Sequence, residues 1–283
     1  MTDTATMPAM HDWAGETGEI WLAHADIFES MLGPVGDAFL AQCGIMPGER
    51  VMDMGCGAGG TTRAIARQVG AGGSVTGVDI SAALIAESAR RAAVEGLVNV
   101  RFAVADAASA AVEGAPFDRL FSRFGSMFFA DFEAAFANLH RLIRPGGRID
   151  LAVWASIDDN PWLAETRLVL SRFVTLPPPD PTAPSPTALA DQDRLRGLLT
   201  GAGFDAVAHR QWHGPQLVGG RGASAGAAAD FMIEAMPMSS VLRGIEPELR
   251  ARIHAALTEM LGRHAGPDGV AVPGAAWFVS ATA

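Results

Sequence analysis

The stretch from Val51 to Thr62, which reads VMDMGCGAGGTT, constrains the fold of this chain more than any other. Residues 51–54 form a short apolar run with one acidic residue, which is typical of a buried parallel strand. Four glycines then fall within six positions, namely Gly55, Gly57, Gly59 and Gly60. Missing side chains let a ligand approach the backbone, and the helix predicted after them offers unpaired N–H groups. The stretch therefore predicts a nucleotide site.

The glycine spacing fits two kinds of nucleotide site. It matches the dinucleotide fingerprint G-x-G-x-x-G when Gly60 is the third glycine, and G-x-G-x-G when Gly59 is the third. Asp79 lies 20 residues after Gly59, at the end of the second predicted strand. An acidic residue there accepts hydrogen bonds from ribose hydroxyls in either kind of site, so the glycines alone leave both open.

Composition limits the classes of partner. The 283 residues suffice for one large α/β domain or for a domain with a lid, and 49% hydrophobic with 18% charged residues indicates a globular protein. The net charge of −10, without a basic run, argues against nucleic acid. Residues 1–15 carry no apolar leader, and no apolar stretch approaches ~18 residues, so we expect a cytoplasmic protein without a membrane segment.

Two absences exclude whole reaction classes. The chain has no tyrosine, and all 21 of its basic residues are arginine. Without lysine there is no Schiff base to a carbonyl substrate and no phosphate-loop lysine, and the Tyr/Lys proton relay of short-chain dehydrogenases is excluded as well. The two cysteines, Cys43 and Cys56, are too few for a disulfide framework or a zinc site, and no metal is expected.

The hydrophobic pattern predicts strands and helices that alternate through the first half of the chain. A helical segment at 11–45, broken at Gly33-Pro34, precedes strands at 51–54, 74–79, 98–106, 117–122 and 148–154, with helices between them. This alternation predicts a parallel sheet covered on both faces. A proline-rich connector at 177–186, a helix at 190–202, a strand at 204–212, helical segments at 227–241 and 247–264, and a last strand at 275–281 follow.

Three features decide between the two kinds of site. Asp53 lies two residues before the first glycine, where a nicotinamide enzyme normally has an apolar residue. Asp106 ends the third predicted strand, within reach of the exocyclic amine of a base. Arg144-Pro-Gly-Gly147 leads out of the helix before the fifth strand, and the chain closes with a strand, a lid and a strand.

At these residues the chain resembles the class I S-adenosylmethionine-dependent methyltransferases, in particular bacterial small-molecule enzymes. Their motifs D-x-G-C-G-x-G, S-R-F-G-x-M-F-F and R-P-G-G correspond here to residues 53–59, 122–129 and 144–147. The match covers 47–154, with weaker similarity at 13–21, at 160–162 and in the last strand. The resemblance implies a Rossmann-like α/β fold, a seven-stranded and mostly parallel sheet with an antiparallel last strand, helices on both faces and a helical lid.

The same resemblance implies a division of the chain into five parts. They are an N-terminal helical cap at 1–46, a cofactor-binding core at 47–154, an insertion with the proline-rich connector at 155–190, segments 191–213 and 274–283 that complete the core sheet, and a helical lid at 214–273 over the substrate pocket.

For the methionine half of the cofactor, S-adenosyl-L-methionine, the resemblance implies five residues. Gly55, Gly57 and Gly59 would line this half. Asp53 would hold the turn or reach the methionine amino group through water. Ser122, at the end of the fourth strand, would place its backbone carbonyl near the methionine ammonium.

For the nucleoside half, the resemblance implies four residues. Asp79 would accept hydrogen bonds from both ribose hydroxyls, and Ile80 would pack on a face of the adenine. Asp106 would accept from the adenine amine, and the Ala107 N–H would reach a ring nitrogen. A sulfonium cofactor brings positive charge, which carboxylates favour.

The candidates for chemistry are fewer. His24 lies near Trp21 on the helix that folds over the cofactor in this family, and it is either a general base or a packed or solvated histidine. Arg123 follows Ser122 at the edge of the sheet where ligands bind, and it contacts a substrate acid, the cofactor carboxylate or a surface partner. The predicted substrate pocket consists of aromatic and methionine side chains: Trp21, Phe124, Trp154, Trp162, Phe231, Met232 and Met236.

The expected reaction is in-line transfer of the sulfonium methyl to O, N or C of a small, fairly apolar molecule. Alignment and exclusion of water would be the main contribution of the protein, because the methyl group is already activated. Two alternatives stay open: a protein that binds S-adenosylmethionine without methyl transfer, and a dinucleotide-dependent oxidoreductase, which lacks an evident hydride-transfer acid. The sequence leaves a homodimer open.

Overall fold

The structure of the protein is a computed structural model that describes residues 12–176, 178, 180, 183–236, 239–242 and 244–283. The first eleven residues of the predicted N-terminal cap lie outside the described part, and so do four residues of the predicted connector, at 177, 179, 181 and 182.

The strands form one mixed sheet. They are β1 (Arg50–Met54), β2 (Ser74–Asp79), β3 (Val100–Val104), β4 (Phe117–Arg123), β5 (Ile143–Trp154), β6 (Asp205–Val218), β7 (Ala265–Gly266) and β8 (Gly269–Thr282). Their order is β3-β2-β1-β4-β5-β8-β6, with the two-residue β7 paired to β8. The pairs among β1 to β5 are parallel, whereas β8 is antiparallel to both β5 and β6. The predicted fold class, mostly parallel with an antiparallel last strand, is confirmed.

Ten helices and two short 3-10 turns surround the sheet in the described part of the chain. The helices are α1 (Glu16–Ala23), α2 (Ala25–Met31), α3 (Gly33–Cys43), α4 (Gly60–Val69), α5 (Ala82–Val94), α6 (Phe132–Arg141), α7 (Pro161–Leu170), α8 (Gln192–Gly201), α9 (Ala225–Ala235) and α10 (Pro247–Gly262), and the turns are Ser126–Phe128 and Ser239–Leu242. None of the described helices has the length and apolar character needed to cross a membrane.

The helix boundaries follow from local chemistry. The Ser81 hydroxyl accepts a hydrogen bond from the Leu84 N–H, and the Asp131 carboxylate accepts one from the Ala134 N–H, so both residues cap the helices that follow them. The N-terminal helical segment breaks before Gly33, as the Gly-Pro pair predicts, and also at His24, which separates α1 from α2.

The core joins the helices to the sheet through large apolar side chains. Phe39 of α3 packs on Phe121 of β4 and Phe278 of β8, with ring centroids 4.7 and 4.9 Å apart. Each of these three side chains is at most 3% exposed. On the carboxyl side of the sheet α1 contacts α5 and α9, α9 packs on α10, and α10 packs on α7. These helices form a cover at the edge where parallel strands end.

Two segments that the sequence assigns to turns or lid are strands. Strand β5 begins at Ile143 and so includes the Arg144-Pro-Gly-Gly147 segment, in which Gly146 has a φ of +71° and the pairing of β4 with β5 shifts register between Phe117 and Arg119. Residues 214–218 and 269–273 pair with each other in β6 and β8. In that pairing Gly214 faces Gly274 and Pro215 faces Pro273, so residues that usually indicate turns conceal the strand pattern.

Candidate active site

A cavity of about 630 Å³ lies above the carboxyl ends of β1, β2 and β4. The strand order reverses between β1 and β4, and such a reversal is where open α/β sheets bind ligands. Most of the predicted site residues line the cavity: Trp21, Gly55, Gly57, Asp79, Ile80, Asp106, Ala107, Arg123, Phe124, Trp154, Trp162 and Met236. The cavity lining does not include six predicted residues: His24, Asp53, Gly59, Ser122, Phe231 and Met232.

Two glycines of the turn after β1, Gly55 and Gly59, have no room for a side chain. Gly55 has a φ of +67°, and a Cβ on it would lie 2.9 Å from the Gly125 backbone. Gly59 has a φ of +78°, and a Cβ there would lie 2.9 Å from the Ser88 hydroxyl. The Gly55 N–H donates to the Val78 carbonyl of β2 at 2.8 Å. Gly59 therefore allows the turn to pack against Ser88 on the side away from the cavity lining, while Gly55 exposes its backbone to the cavity.

The Asp79 carboxylate is held in place at the end of β2. Its Oδ2 accepts a hydrogen bond from the Gly57 N–H at 2.9 Å, and its Oδ1 accepts one from the Ser81 N–H at 3.0 Å. Burial raises the pKa of this carboxyl, against the lowering effect of the N–H donors. A carboxylate has about four lone-pair sites, so acceptor capacity remains on the cavity side. Ile80 beside it is 42% exposed, an apolar side chain open to a flat ligand.

The loop that carries Asp106 and Ala107 is fixed from α6. Asp106 Oδ1 accepts a hydrogen bond from the Ala108 N–H at 2.9 Å. Asn138 Nδ2 donates to the carbonyls of Ala107 and Ala110 at 2.9 and 3.0 Å. Asn138 is not among the residues that the sequence predicts for the site; an amide among the apolar residues of a predicted helix is the signal that could have found it, and Asn138 is buried.

Asp53 is buried below the glycine turn rather than in the cavity wall. Its Oδ2 accepts hydrogen bonds from the hydroxyls of Thr61 and Thr62 at 2.8 and 2.6 Å. These contacts tie β1 to the first turn of α4. Its Oδ1 has no hydrogen-bond partner among the described residues. Burial, the largest effect, raises the pKa of Asp53 to about 6.

An aromatic wall follows the end of β4. Phe124 has a φ of +65°, which costs roughly 1–2 kcal/mol for a residue with a Cβ. In this conformation its ring stacks on Trp154, with centroids 4.0 Å apart and planes 10° apart. Trp154 in turn contacts Trp162 at 5.3 Å. Backbone strain at a non-glycine residue that lines a cavity points to a functional requirement for its side-chain direction.

A second group of aromatic side chains comes from the N-terminal helices. Trp21 stacks on Phe28 at 3.6 Å, and Trp13 meets the edge of Phe128 at 5.0 Å. A Cβ on Gly57 would lie 3.5 Å from the Trp21 indole nitrogen. Trp21, which lines the cavity, therefore lies directly against the glycine turn.

The structure separates the two residues that the sequence suggests for chemistry. Arg123 lines the cavity. His24 lies 3.8 Å from Glu234, and its ring meets the edge of Phe231. Phe231 and Met232 are at most 3% exposed on α9. His24 and Phe231 therefore belong to the packing between the N-terminal helices and α9, whereas the Met232 sulfur contacts the Thr166 hydroxyl of α7 at 3.9 Å. Ser122 is also buried, with 0% of its surface exposed.

Two comparisons locate these residues among known proteins. A family model described as a methyltransferase domain matches residues 51–147. The chain is 36% identical over 118 residues to nocamycin O-methyltransferase of Saccharothrix syringae, an alignment that covers 42% of this chain and 42% of that protein. The chain spans less than half the length of the curated relatives it matches, from 42% to 46%.

Solved structures share the whole fold at low sequence identity. Phosphoethanolamine N-methyltransferase 2 of Haemonchus contortus, in complex with S-adenosyl-L-methionine, superposes with a TM-score of 0.57 at 18% identity, over 98% of this chain and 60% of that one. The [4+2]-cyclase SpnF superposes with a TM-score of 0.54 at 17% identity, over 95% of each chain. Residues 51–147 thus match a methyltransferase domain, and the fold around them is shared with solved structures that include S-adenosylmethionine-dependent methyltransferases.

Proposed function

We propose that this protein binds S-adenosyl-L-methionine and transfers its methyl group to O, N or C of a small, fairly apolar acceptor. The observation that carries the proposal is one continuous cavity. It is lined at one end by the glycine turn with Asp79 and Asp106, and elsewhere by the aromatic wall of Phe124, Trp154 and Trp162.

The residues at the glycine turn fit the cofactor. A side chain at Gly55 is excluded by contacts of 2.9 Å, so the methionine half can lie against bare backbone. Asp79 offers acceptors for a ribose diol, and Asp106 offers one for an adenine amine. The unpartnered Oδ1 of Asp53, which lies below the glycine turn, suits a cationic ammonium that it reaches through water. When bound, the cofactor supplies a methyl group on a positively charged sulfur.

The residues of the chain contribute to the reaction by orienting the acceptor and by excluding water from it. Trp154 is 5% exposed and Trp162 is 3% exposed although both line the cavity, so the wall they form with Phe124 keeps water from the acceptor. In-line displacement gains most from holding the acceptor atom against the methyl group. The proposal does not use His24 as a general base, because His24 lies outside the cavity lining.

Formation of S-adenosylhomocysteine from S-adenosylmethionine is the test. The full chain is incubated with a panel of phenols, enols, amines and aromatic acids, and turnover with at least one acceptor class is expected. A variant with Trp154→Ala should lose turnover while it still binds S-adenosylhomocysteine. Absence of turnover across the panel, despite cofactor binding, would count against methyl transfer.

A second candidate is cofactor binding without methyl transfer, which the likeness to the [4+2]-cyclase SpnF over 95% of each chain favours. This candidate predicts tight binding of S-adenosylhomocysteine and no methylated product. The dinucleotide-dependent oxidoreductase predicts binding of NADH instead.

The expected setting of this activity is the cytoplasm, with a small-molecule substrate and with neither nucleic acid nor a membrane as partner. The acidic composition, with a net charge of −10, supports the exclusion of nucleic acid. Light scattering on the purified chain decides between a monomer and a homodimer.

A further inference from the structure

Arg123 places a guanidinium in the wall of the cavity without a salt bridge to any described carboxylate. It is the last residue of β4, and its side chain lines the cavity. Its one hydrogen bond to the described residues is a long one, from Nη1 to the Leu32 carbonyl at 3.5 Å. No described carboxylate forms a salt bridge with it, although other arginines of the chain have such partners within 3 Å.

The acids around Arg123 act on it only from a distance. Asp53, Glu29 and Asp37 each favour its charged form, but burial outweighs them and lowers its pKa. Arg123 is only partly buried, but a guanidinium partly removed from water without a hydrogen-bonded anion is still costly, so a ligand that supplies the anion recovers part of that cost on binding.

The neighbouring helix leaves space for this guanidinium. Gly36 lies in α3, and a Cβ on it would come within 2.6 Å of Arg123 Nη1. Gly36 has an ordinary helical backbone, so its conformation does not require glycine. The absence of a side chain at Gly36 therefore leaves room for the guanidinium of Arg123.

Arg123 lines the same cavity as the glycine turn and the aromatic wall. Asp53, which exerts the strongest of the three favourable charge effects on Arg123, precedes the glycine turn by two residues. Phe124, the next residue along the chain, begins the aromatic wall. A planar guanidinium binds carboxylates with two parallel hydrogen bonds, a geometry that fixes orientation as well as charge.

We propose that Arg123 binds a ligand carboxylate inside this cavity, and that Gly36 is a positioning residue that keeps the guanidinium in place. The inference rests on the proposed function for the nature of the ligands. Two sources share the chemistry: the amino-acid carboxylate of the cofactor, and the acid group of an aromatic acceptor.

Matched ligand pairs test the inference by calorimetry. S-adenosylhomocysteine is compared with 5′-methylthioadenosine, which lacks the amino-acid carboxylate, and 2-naphthoate is compared with 2-naphthamide. The naphthalene pair is measured with and without S-adenosylhomocysteine. We expect Arg123→Met to weaken binding of the carboxylate member of one pair by roughly tenfold to a hundredfold, while its neutral partner binds unchanged. The affected pair identifies the source.

Gly36→Ala supplies a second variant in which the charge is retained. Alanine suits a helix better than glycine, so the fold should persist, and the added Cβ displaces the end of a flexible side chain. Gly36→Ala should weaken binding of the same carboxylate ligand that Arg123→Met affects, by a smaller factor. The matched control is Gly197→Ala in α8, where a Cβ meets nothing within 4 Å.

The inference is overturned if Arg123→Met binds both carboxylate ligands as tightly as the wild type does. If Arg123→Met does not fold, the same result in Gly36→Ala overturns it. Failure of wild-type protein to bind S-adenosylhomocysteine overturns the proposed function instead, and the naphthalene pair measured alone then still decides the role of Arg123.

Discussion

The N–H of Gly57 donates a hydrogen bond of 2.9 Å to Oδ2 of Asp79, so the glycine turn and the acid at the end of β2 hold each other in place. The same carboxylate also accepts from the Ser81 N–H through its other oxygen. Two fixed donors orient the carboxylate before any ligand arrives, which lowers the entropy cost of binding. The glycine motif and the distant acid are therefore one structural unit.

Asp79→Ala should weaken binding of S-adenosylhomocysteine by at least ~1.5 kcal/mol, because a charge-assisted contact to the ribose is lost. Isothermal titration calorimetry measures the change. Asp193→Ala, an exposed carboxylate on α8, is the control and should bind normally. Unchanged affinity in Asp79→Ala would remove this residue from the site.

Cofactor affinity should rise with pH through about 6. Burial raises the pKa of Asp53 to about 6, so without ligand its carboxyl is largely protonated below that pH. A ligand ammonium favours the ionised carboxylate, and the affinity for S-adenosylhomocysteine therefore falls as the pH drops from 7 to 5.

Asp53→Asn should flatten this pH dependence without abolishing it, because the pKa of Asp79 is raised as well. Calorimetry at pH 5, 6 and 7 compares the two proteins. A slope in the variant equal to that of the wild type would show that Asp53 does not sense the ligand.

Phe124 offers a test of backbone strain. At a φ of +65°, Phe124→Gly should be more stable than Phe124→Ala by about 0.5–1 kcal/mol, although both lose the ring. Denaturant unfolding measures the difference. At Phe129, with a φ of −66°, the order should reverse and alanine should be the more stable. If the glycine and alanine variants have the same order of stability at both positions, the backbone of Phe124 is not strained.

Asn138→Leu should weaken the binding of S-adenosylhomocysteine and of 5′-methylthioadenosine equally, by about 1 kcal/mol, because the loop around Asp106 loses two hydrogen bonds. Equal loss for both ligands distinguishes an effect on the nucleoside end from one on the methionine end. Arg141→Ala removes only the contact to the Asn138 Oδ1 and should bind as the wild type does.

The sequence predicts the fold and the lining at strand ends well, for a physical reason. Gly55, Asp79 and Asp106 each lie at or just beyond the end of a parallel strand, and the carboxyl ends of such strands meet at one edge whatever the surrounding helices do. Their placement depends on local spacing alone. Their roles toward the cofactor stay predictions.

Residues on the covering helices were harder to place. Whether His24 and Phe231 face the cavity depends on how the N-terminal helices dock on α9, and whether Met232 does depends on how α9 docks on α7, which no local pattern encodes. Met236, just beyond the end of α9, does line the cavity. Arg123 could be placed at the sheet edge, but its lack of an ion pair depends on the gap at Gly36, a contact across 87 positions of the sequence.

The most direct test of the cofactor site is a calorimetric titration of the full chain with S-adenosylhomocysteine and, separately, with NADH. We predict saturable binding of S-adenosylhomocysteine at one site per chain, weakened in Asp79→Ala, and no binding of NADH. Saturable binding of NADH without binding of S-adenosylhomocysteine would contradict the account.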